Sequence, residues 1–295
     1  MRLGRLSPAL ILVAGIAMGS AMDGAIKFLA LTNNVLLVTF SRYVFGGLFS
    51  LAPWVHAGRP NITAEMWRAH LGRGAVVASC SVGFFWGLTV LPLAEAVTLS
   101  FIYPLIAPFM AKMMLGESIR ASSVGAALIG FVGVIIAVQG GPSLSASPLH
   151  AYGVAAVLFS TIMFSIAMII LRDRAKKDGP AVVGLLSSIT PGVFLALPTL
   201  IFAPPPRFDQ WWAFLLMGMF AAVFMYLLAR AYARAEAQQL APIHYTELLW
   251  ATIVGFVVFH EAPRLQIYLG AGFIIAACLY TAHEERKLVT RVESA

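Results

Sequence analysis

The sequence predicts an all-α polytopic membrane protein: ten transmembrane helices arranged as two inverted five-helix repeats. Three observations carry that expectation. Of 295 residues, 60% are hydrophobic and only 11% charged, and mean hydropathy is +0.86. A soluble chain carries roughly 25% charged residues, so this one cannot clothe its whole exterior for water. Second, apolar windows of about 20 residues, enough to cross a ~30 Å hydrocarbon core as helix, recur near 8–31, 35–55, 73–92, 94–115, 122–139, 152–171, 181–202, 211–230, 237–259 and 265–282. Third, the plan of Thr89–Glu117 returns 144 positions later as Ala233–Glu261: a Pro/Ala-rich entry, an apolar run and a closing acid. A repeat at half the chain length means two copies of one unit. Five spans per copy is an odd number, so the second copy enters from the opposite face, the arrangement of many secondary transporters. The units are read as 8–140 and 152–283, followed by a cytoplasmic tail, 284–295.

Charge supplies the orientation. The net charge of +7 would suggest nucleic acid for a soluble protein, but here it is distributed by side. With a cytoplasmic N-terminus, the inner segments hold Arg2, Arg5, Arg59, Arg68, Arg73, Arg120, Arg172, Arg174, Lys176, Lys177, Arg230, Arg234, Arg286, Lys287 and Arg291. The outer segments hold only Arg207 and Arg264. This is the positive-inside bias, and it places both termini in the cytoplasm. Cys80 and Cys278 both fall in apolar spans and offer no disulfide framework.

Along the chain, the first span carries Gly15, Gly19 and Gly24, which allow close helix approach. It also carries Asp23 and Lys27, four apart and on one face. The second span contains Arg42, and the polar stretch from His56 to Arg73 reads as a cytoplasmic loop. The third includes Gly83-Phe84-Phe85-Trp86-Gly87. Pro104 and Pro108 should kink or break the fourth, and Pro191 and Pro198 the seventh. Glycines mark the fifth as a close-packing helix, and the uncharged linker Gly140–Ser145 separates the halves. The eighth opens on an interfacial Trp211-Trp212 pair. The ninth holds His244, Tyr245, Glu247 and Trp250.

These residues resemble a family. GIAMGSAMDGAIK in the first span, TFSRYVFGG around Arg42, PLAEAVTLSFIYPL followed by MMLGES, and VGAALIGFVGVIIAVQ are similar to the drug/metabolite transporter superfamily, specifically to proteins built from two EamA domains. APIHYTELLWA, VVFHEA and LGAGFIIA occupy the matching places in the second half, which departs from the pattern in having no proline beside Glu247. The resemblance covers about 8 to 283. It implies a basket-like bundle around a central cavity, and substrate movement without nucleotide hydrolysis. It also implies the bacterial inner membrane, with export of a small amphipathic metabolite such as an amino acid or derivative. The alternative is import of a vitamin such as riboflavin or of a nucleoside-like solute.

Ionisable groups inside spans cost about 2.5–3.5 kcal/mol on insertion scales and face the bundle interior. Asp23 and Lys27 are therefore read either as each other's partner or as substrate contacts. Arg42, about 10 Å deep at the helical rise, suits a structural bond or a substrate carboxylate. Glu247 is the sharpest candidate. It sits three residues after His244, on the same helical face, to bind a substrate amine or exchange a coupling proton, with His244 tuning it. Tyr103, Trp86, Tyr245 and Trp250 are the candidates to stack on a planar or cationic ligand. Glu95 and Glu236 read as solvated loop residues, and Glu117 and Glu261 as anchors for the helix that follows each.

Enzyme classes find no motif. His260-Glu261-Ala262-Pro263 and His283-Glu284-Glu285-Arg286-Lys287 both fail the H-E-x-x-H pattern, and no G-x-x-x-x-G-K-[ST] sequence occurs. The expected partners are a small-molecule substrate, the lipid bilayer and a coupling proton, without nucleic acid, metal or cofactor, as a monomer or homodimer.

Overall fold

The structure, a computed structural model, describes residues 7–115, 148–206, 208–234, 243–244, 246–262 and 264–273, with scattered positions at 125–136 and 275–280. Its helices are α1 (Pro8–Ala30), α2 (Val35–His56), α3 (Ala64–Val90), α4 (Leu93–Ser100), α5 (Tyr103–Leu115), α6 (Pro148–Asp178), α7 (Pro180–Phe202), α8 (Trp211–Tyr232) and α9 (Thr246–Phe259). Residues 265–273 are again helical. The fold is all-helical. Among the described residues, six helices (α1, α2, α3, α6, α7 and α8) are long and apolar enough to cross a membrane.

Local chemistry sets the helix starts. Ser7 Oγ accepts from Leu10 N at 3.3 Å with Pro8 beginning α1. Asn34 Oδ1 accepts from Leu36 N at 2.9 Å, and Thr63 Oγ1 from Met66 N at 3.3 Å. Gly179 turns the chain from α6 into α7 at φ +78°, a conformation that a Cβ disfavours.

The three most extensive helix pairings between the halves are α1 with α8, α3 with α6 and α2 with α7. First packs on third, second on second, third on first, as a two-fold axis in the membrane plane requires. Each pair is antiparallel. Asn33, beyond the end of α1, donates to Gln210 at the start of α8, while Gly15 lies against Leu227 near the other end. Thr199 donates to the carbonyl of Leu36, while Gly46 faces Ser188. Gly153 lies against Val90, Cys80 meets Ser160 at 3.3 Å, and His70 meets Asp178 at 3.0 Å. The second unit thus runs opposite to the first.

The count of ten spans stays an expectation, since Glu117, most of the expected fifth span, Glu236, Tyr245, Cys278 and the tail 284–295 lie outside the described residues. Other expectations are corrected. The fourth span is two helices, and the break falls at Phe101-Ile102, before Pro104 rather than at it. Proline fits the first turn of a helix, where its missing N–H costs nothing. In the second half, α9 begins at Thr246 with no proline to start it. The seventh span is unbroken, because α7 runs through Pro191 and Pro198. Finally, α3 starts at Ala64, so Arg73 belongs to a membrane helix and not to a loop.

Candidate substrate cavity

Two apolar clusters occupy the two ends of the bundle. One gathers Ile26, Leu29, Leu88, Leu91, Leu93 and Met217 toward the end carrying Ala30 and Val35. The other gathers Ile11, Leu12, Leu171, Val183 and Tyr232 toward the opposite end. Between them, where the polar residues of α1, α2 and α3 fall, lies a cavity with about 1210 Å³ of empty space, counting the solvent at its opening.

Of the predicted site residues, Asp23, Arg42, Tyr103, His244 and Glu247 come together in its wall. Asp23 enters from α1, Arg42 from α2 and Tyr103 from the first turn of α5. His244 lies in a 3-10 turn before α9 and Glu247 in the first turn of α9. His244 and Glu247 therefore share the cavity without sharing a helix, which corrects the one-face expectation. His244 Nε2 and Tyr232 Oη share a hydrogen bond of 2.8 Å. Tyr103 stands edge-on to Phe164, with ring centroids 5.1 Å apart, and to His244 at 6.1 Å.

Lys27, Trp86 and Trp250 are not in the wall. Lys27 does not pair with Asp23. Its Nζ donates to Glu261 Oε1 at 2.5 Å and to the Leu91 carbonyl at 2.9 Å. Glu261 Oε2 accepts in turn from Leu93 N at 3.0 Å, capping α4, which has no side-chain cap of its own. Glu261 is thus an anchor, but for a helix in the other half rather than for the one that follows. Phe84 and Phe85 line the cavity in place of their neighbour Trp86. Trp250 packs against the apolar cluster around Tyr232 and Leu228. Glu95 is not solvated: it is 1% exposed, bonded to His150 at 2.9 Å and to Arg264 at 2.7 Å.

Sequence reasoning missed Arg73, Tyr43, Ser81, Phe101 and Phe224 among the lining residues. Arg73 is 4% exposed; its Nε donates to the Ala167 carbonyl at 3.2 Å and its NH1 to Ser187 Oγ at 2.7 Å. The missed signal was the run of small and apolar residues around it, Gly72 to Ser79, which continues the helix through the basic stretch. Tyr43 and Ser81 share a 2.5 Å hydrogen bond, and the Arg42 guanidinium carbon lies 4.4 Å from the Tyr43 ring centroid and 5.9 Å from that of Phe85. No group of His, Cys, Asp and Glu able to hold a metal occurs among the described residues. What the arrangement can do is hold a small molecule with charged ends against aromatic walls, out of reach of lipid.

The model of the EamA-like transporter family matches residues 6–139 and 151–282. The chain belongs to the EamA-like transporter family. It is a multi-pass membrane transporter, not an enzyme. It is 26% identical over 274 residues to an S-adenosylmethionine uptake transporter of Rickettsia bellii (strain RML369-C), covering 92% of each chain. A riboflavin transporter of Brucella anthropi is 23% identical over 256 residues, covering 85% of this chain and 88% of that one. A riboflavin transporter of Rhizobium johnstonii is 28% identical, covering 84% and 81%. A crystal structure superposes with a TM-score of 0.73 at 19% identity, covering 96% of this chain and 98% of the other, a likeness of fold. The expectation of export finds no support in these relatives, two of whose names concern riboflavin and one uptake.

Proposed function

We propose that this EamA-like transporter carries a small organic cation bearing a planar ring into the cell across the bacterial inner membrane, by alternating access of the central cavity. One observation carries the reading: Asp23 and Glu247 are two carboxyl groups in one cavity, and neither makes an ion pair among the described residues. Intramembrane acids ordinarily pair with cations or mark the path of a substrate or proton. Lys27, the cation that would neutralise Asp23, is bound to Glu261 instead. A substrate cation can therefore fill the place of the missing partner. Phe84, Phe85 and Phe224 line the cavity, and aromatic side chains there favour a cation electrostatically. The inward direction and an S-adenosylmethionine-like solute follow the names of the relatives.

Proteoliposomes containing the purified protein test this with radiolabelled S-adenosylmethionine. Uptake above that of empty vesicles is expected, falling at least about tenfold in Glu247→Gln, since one charge-assisted contact contributes ~1.5–3 kcal/mol. Unchanged uptake by that variant would remove Glu247 from the mechanism. Riboflavin uptake without S-adenosylmethionine uptake would favour a second reading, a flavin importer, which the aromatic walls and the Brucella relative support.

A further inference from the structure

We propose that Arg42 and Arg73 together form a seat for an anionic oxygen group, a carboxylate or phosphate, on the transported solute; this rests on the cavity being the transport site. The two guanidinium groups come from neighbouring helices of the same unit, α2 and α3. Both are buried, at 8% and 4% exposure, and both line the same cavity. The Tyr43–Ser81 hydrogen bond, one residue from Arg42, also ties α2 to α3.

Neither arginine has a carboxylate partner among the described residues. Arg42 gives its Nε to the sulfur of Met22 at 3.2 Å. Arg73 gives its Nε and NH1 to the Ala167 carbonyl and Ser187 Oγ. All three acceptors are neutral. A guanidinium carries five N–H donors, so both groups keep donors beyond these bonds at the cavity wall. Desolvating a charge costs several kcal/mol unless an opposite charge and hydrogen bonds offset it. Two such charges converging on one cavity make a receptor for an anion. The bonds to Met22, Ala167 and Ser187 hold the planar forks still, which favours two-pronged recognition of carboxylate or phosphate oxygens.

The acids sit on α1 and α9, and the arginines on α2 and α3. Arg42 reaches across to Met22, next to Asp23 on α1, so a zwitterion can set its anion on the two arginines and its cation on Asp23 and Glu247. This assigns Arg73, in a stretch whose sequence reads as a basic loop, to substrate discrimination.

Two matched pairs of probes test the seat by competition against labelled S-adenosylmethionine and riboflavin uptake in proteoliposomes. S-adenosylmethionine and its decarboxylated form differ by the carboxylate; riboflavin phosphate and riboflavin differ by the phosphate. In at least one pair, the anionic member is expected to compete at about tenfold lower concentration or better, the ratio for one charge-assisted pair. The pair that discriminates tells carboxylate from phosphate. In Arg73→Gln and in Arg42→Gln the ratio is expected to approach one, while Arg73→Lys retains part of it. A merely structural arginine would lower uptake of both members and leave the ratio unchanged, overturning the assignment. If either variant fails to fold, the wild-type comparison alone decides: uptake with equal competition by both members of each pair removes the seat and leaves the transport reading standing. No uptake of any of the four probes removes both.

Discussion

Lys27 shows how a buried charge is handled at the scale of a single residue. It is 5% exposed, and its ammonium group is met by Glu261, by the Leu91 carbonyl and by the Phe259 ring, whose centroid is 5.3 Å away. Removing one partner of a buried pair leaves the other charged and desolvated, at a cost of about 3–5 kcal/mol. Glu261→Ala is therefore expected to lower the thermal unfolding midpoint in detergent markedly, and it also strips the cap from Leu93. The double variant Lys27→Met/Glu261→Met should recover much of the loss, because two apolar side chains leave no unpaired charge. A double variant as unstable as Glu261→Ala alone would assign the loss to the α4 cap rather than to the ion pair. At the other end of the bundle Arg174 forks onto Asp178 at 2.8 and 2.9 Å and reaches Glu65 at 2.8 Å, while Asp178 also meets His70. Both ties join the two halves.

Between elements, small residues set the distances. Gly218 on α8 faces the backbone of α2 so closely that a Cβ there would overlap Phe45 and approach the Gly46 nitrogen to 3.1 Å. Backbone cannot yield as the end of a side chain does, so Gly218→Ala should be overpacked, costing about 1–3 kcal/mol. The measurement is the unfolding midpoint of the purified variant. Gly72→Ala meets no atom of the described residues within 4 Å and is the control expected to be neutral. Equal stability of Gly218→Ala and wild type would show that α2 and α8 can part without loss. The same scale explains the broken fourth span. Pro104 and Pro108 were visible in the sequence, but the break falls at Phe101-Ile102 because a helix tolerates proline in its first turn and ends before it. In α7, by contrast, Pro191 and Pro198 sit inside one continuous helix. Residues near Pro191 pack tightly against α2 and α3, as Gly192 against Tyr43 and Thr190 against Gly74 show, and that packing holds the helix in register.

For the whole molecule, the antiparallel pairing of α1 with α8, α2 with α7 and α3 with α6 builds a two-fold scaffold. The polar residues it surrounds do not obey the symmetry: with the halves aligned at 144, Glu247 stands where the first half has Tyr103. The distribution of Lys and Arg predicts that both ends lie in the cytoplasm. A green fluorescent protein fused after Ala295 is expected to fluoresce, and alkaline phosphatase fused there to stay inactive. The opposite result would invert the membrane orientation.

Composition and spacing by themselves determined that this chain is helical and membrane-embedded, and that it is built twice over. Those properties depend on the apolar windows and on the plan that returns 144 positions later, both of which are written along the chain. Asp23, Arg42, Tyr103, His244 and Glu247 were legible as residues of the bundle interior, where they line the cavity, because polarity inside an apolar span is costly wherever the span packs. Only the tertiary structure decided which charges are paired within the scaffold and which line the cavity without an ion pair among the described residues. Lys27 and Glu261 are 234 positions apart, Glu95 and Arg264 are 169, and no local pattern pairs them. Arg73 was hidden for the same reason: its burial comes from α6 and α7, whose Ala167 and Ser187 receive its hydrogen bonds.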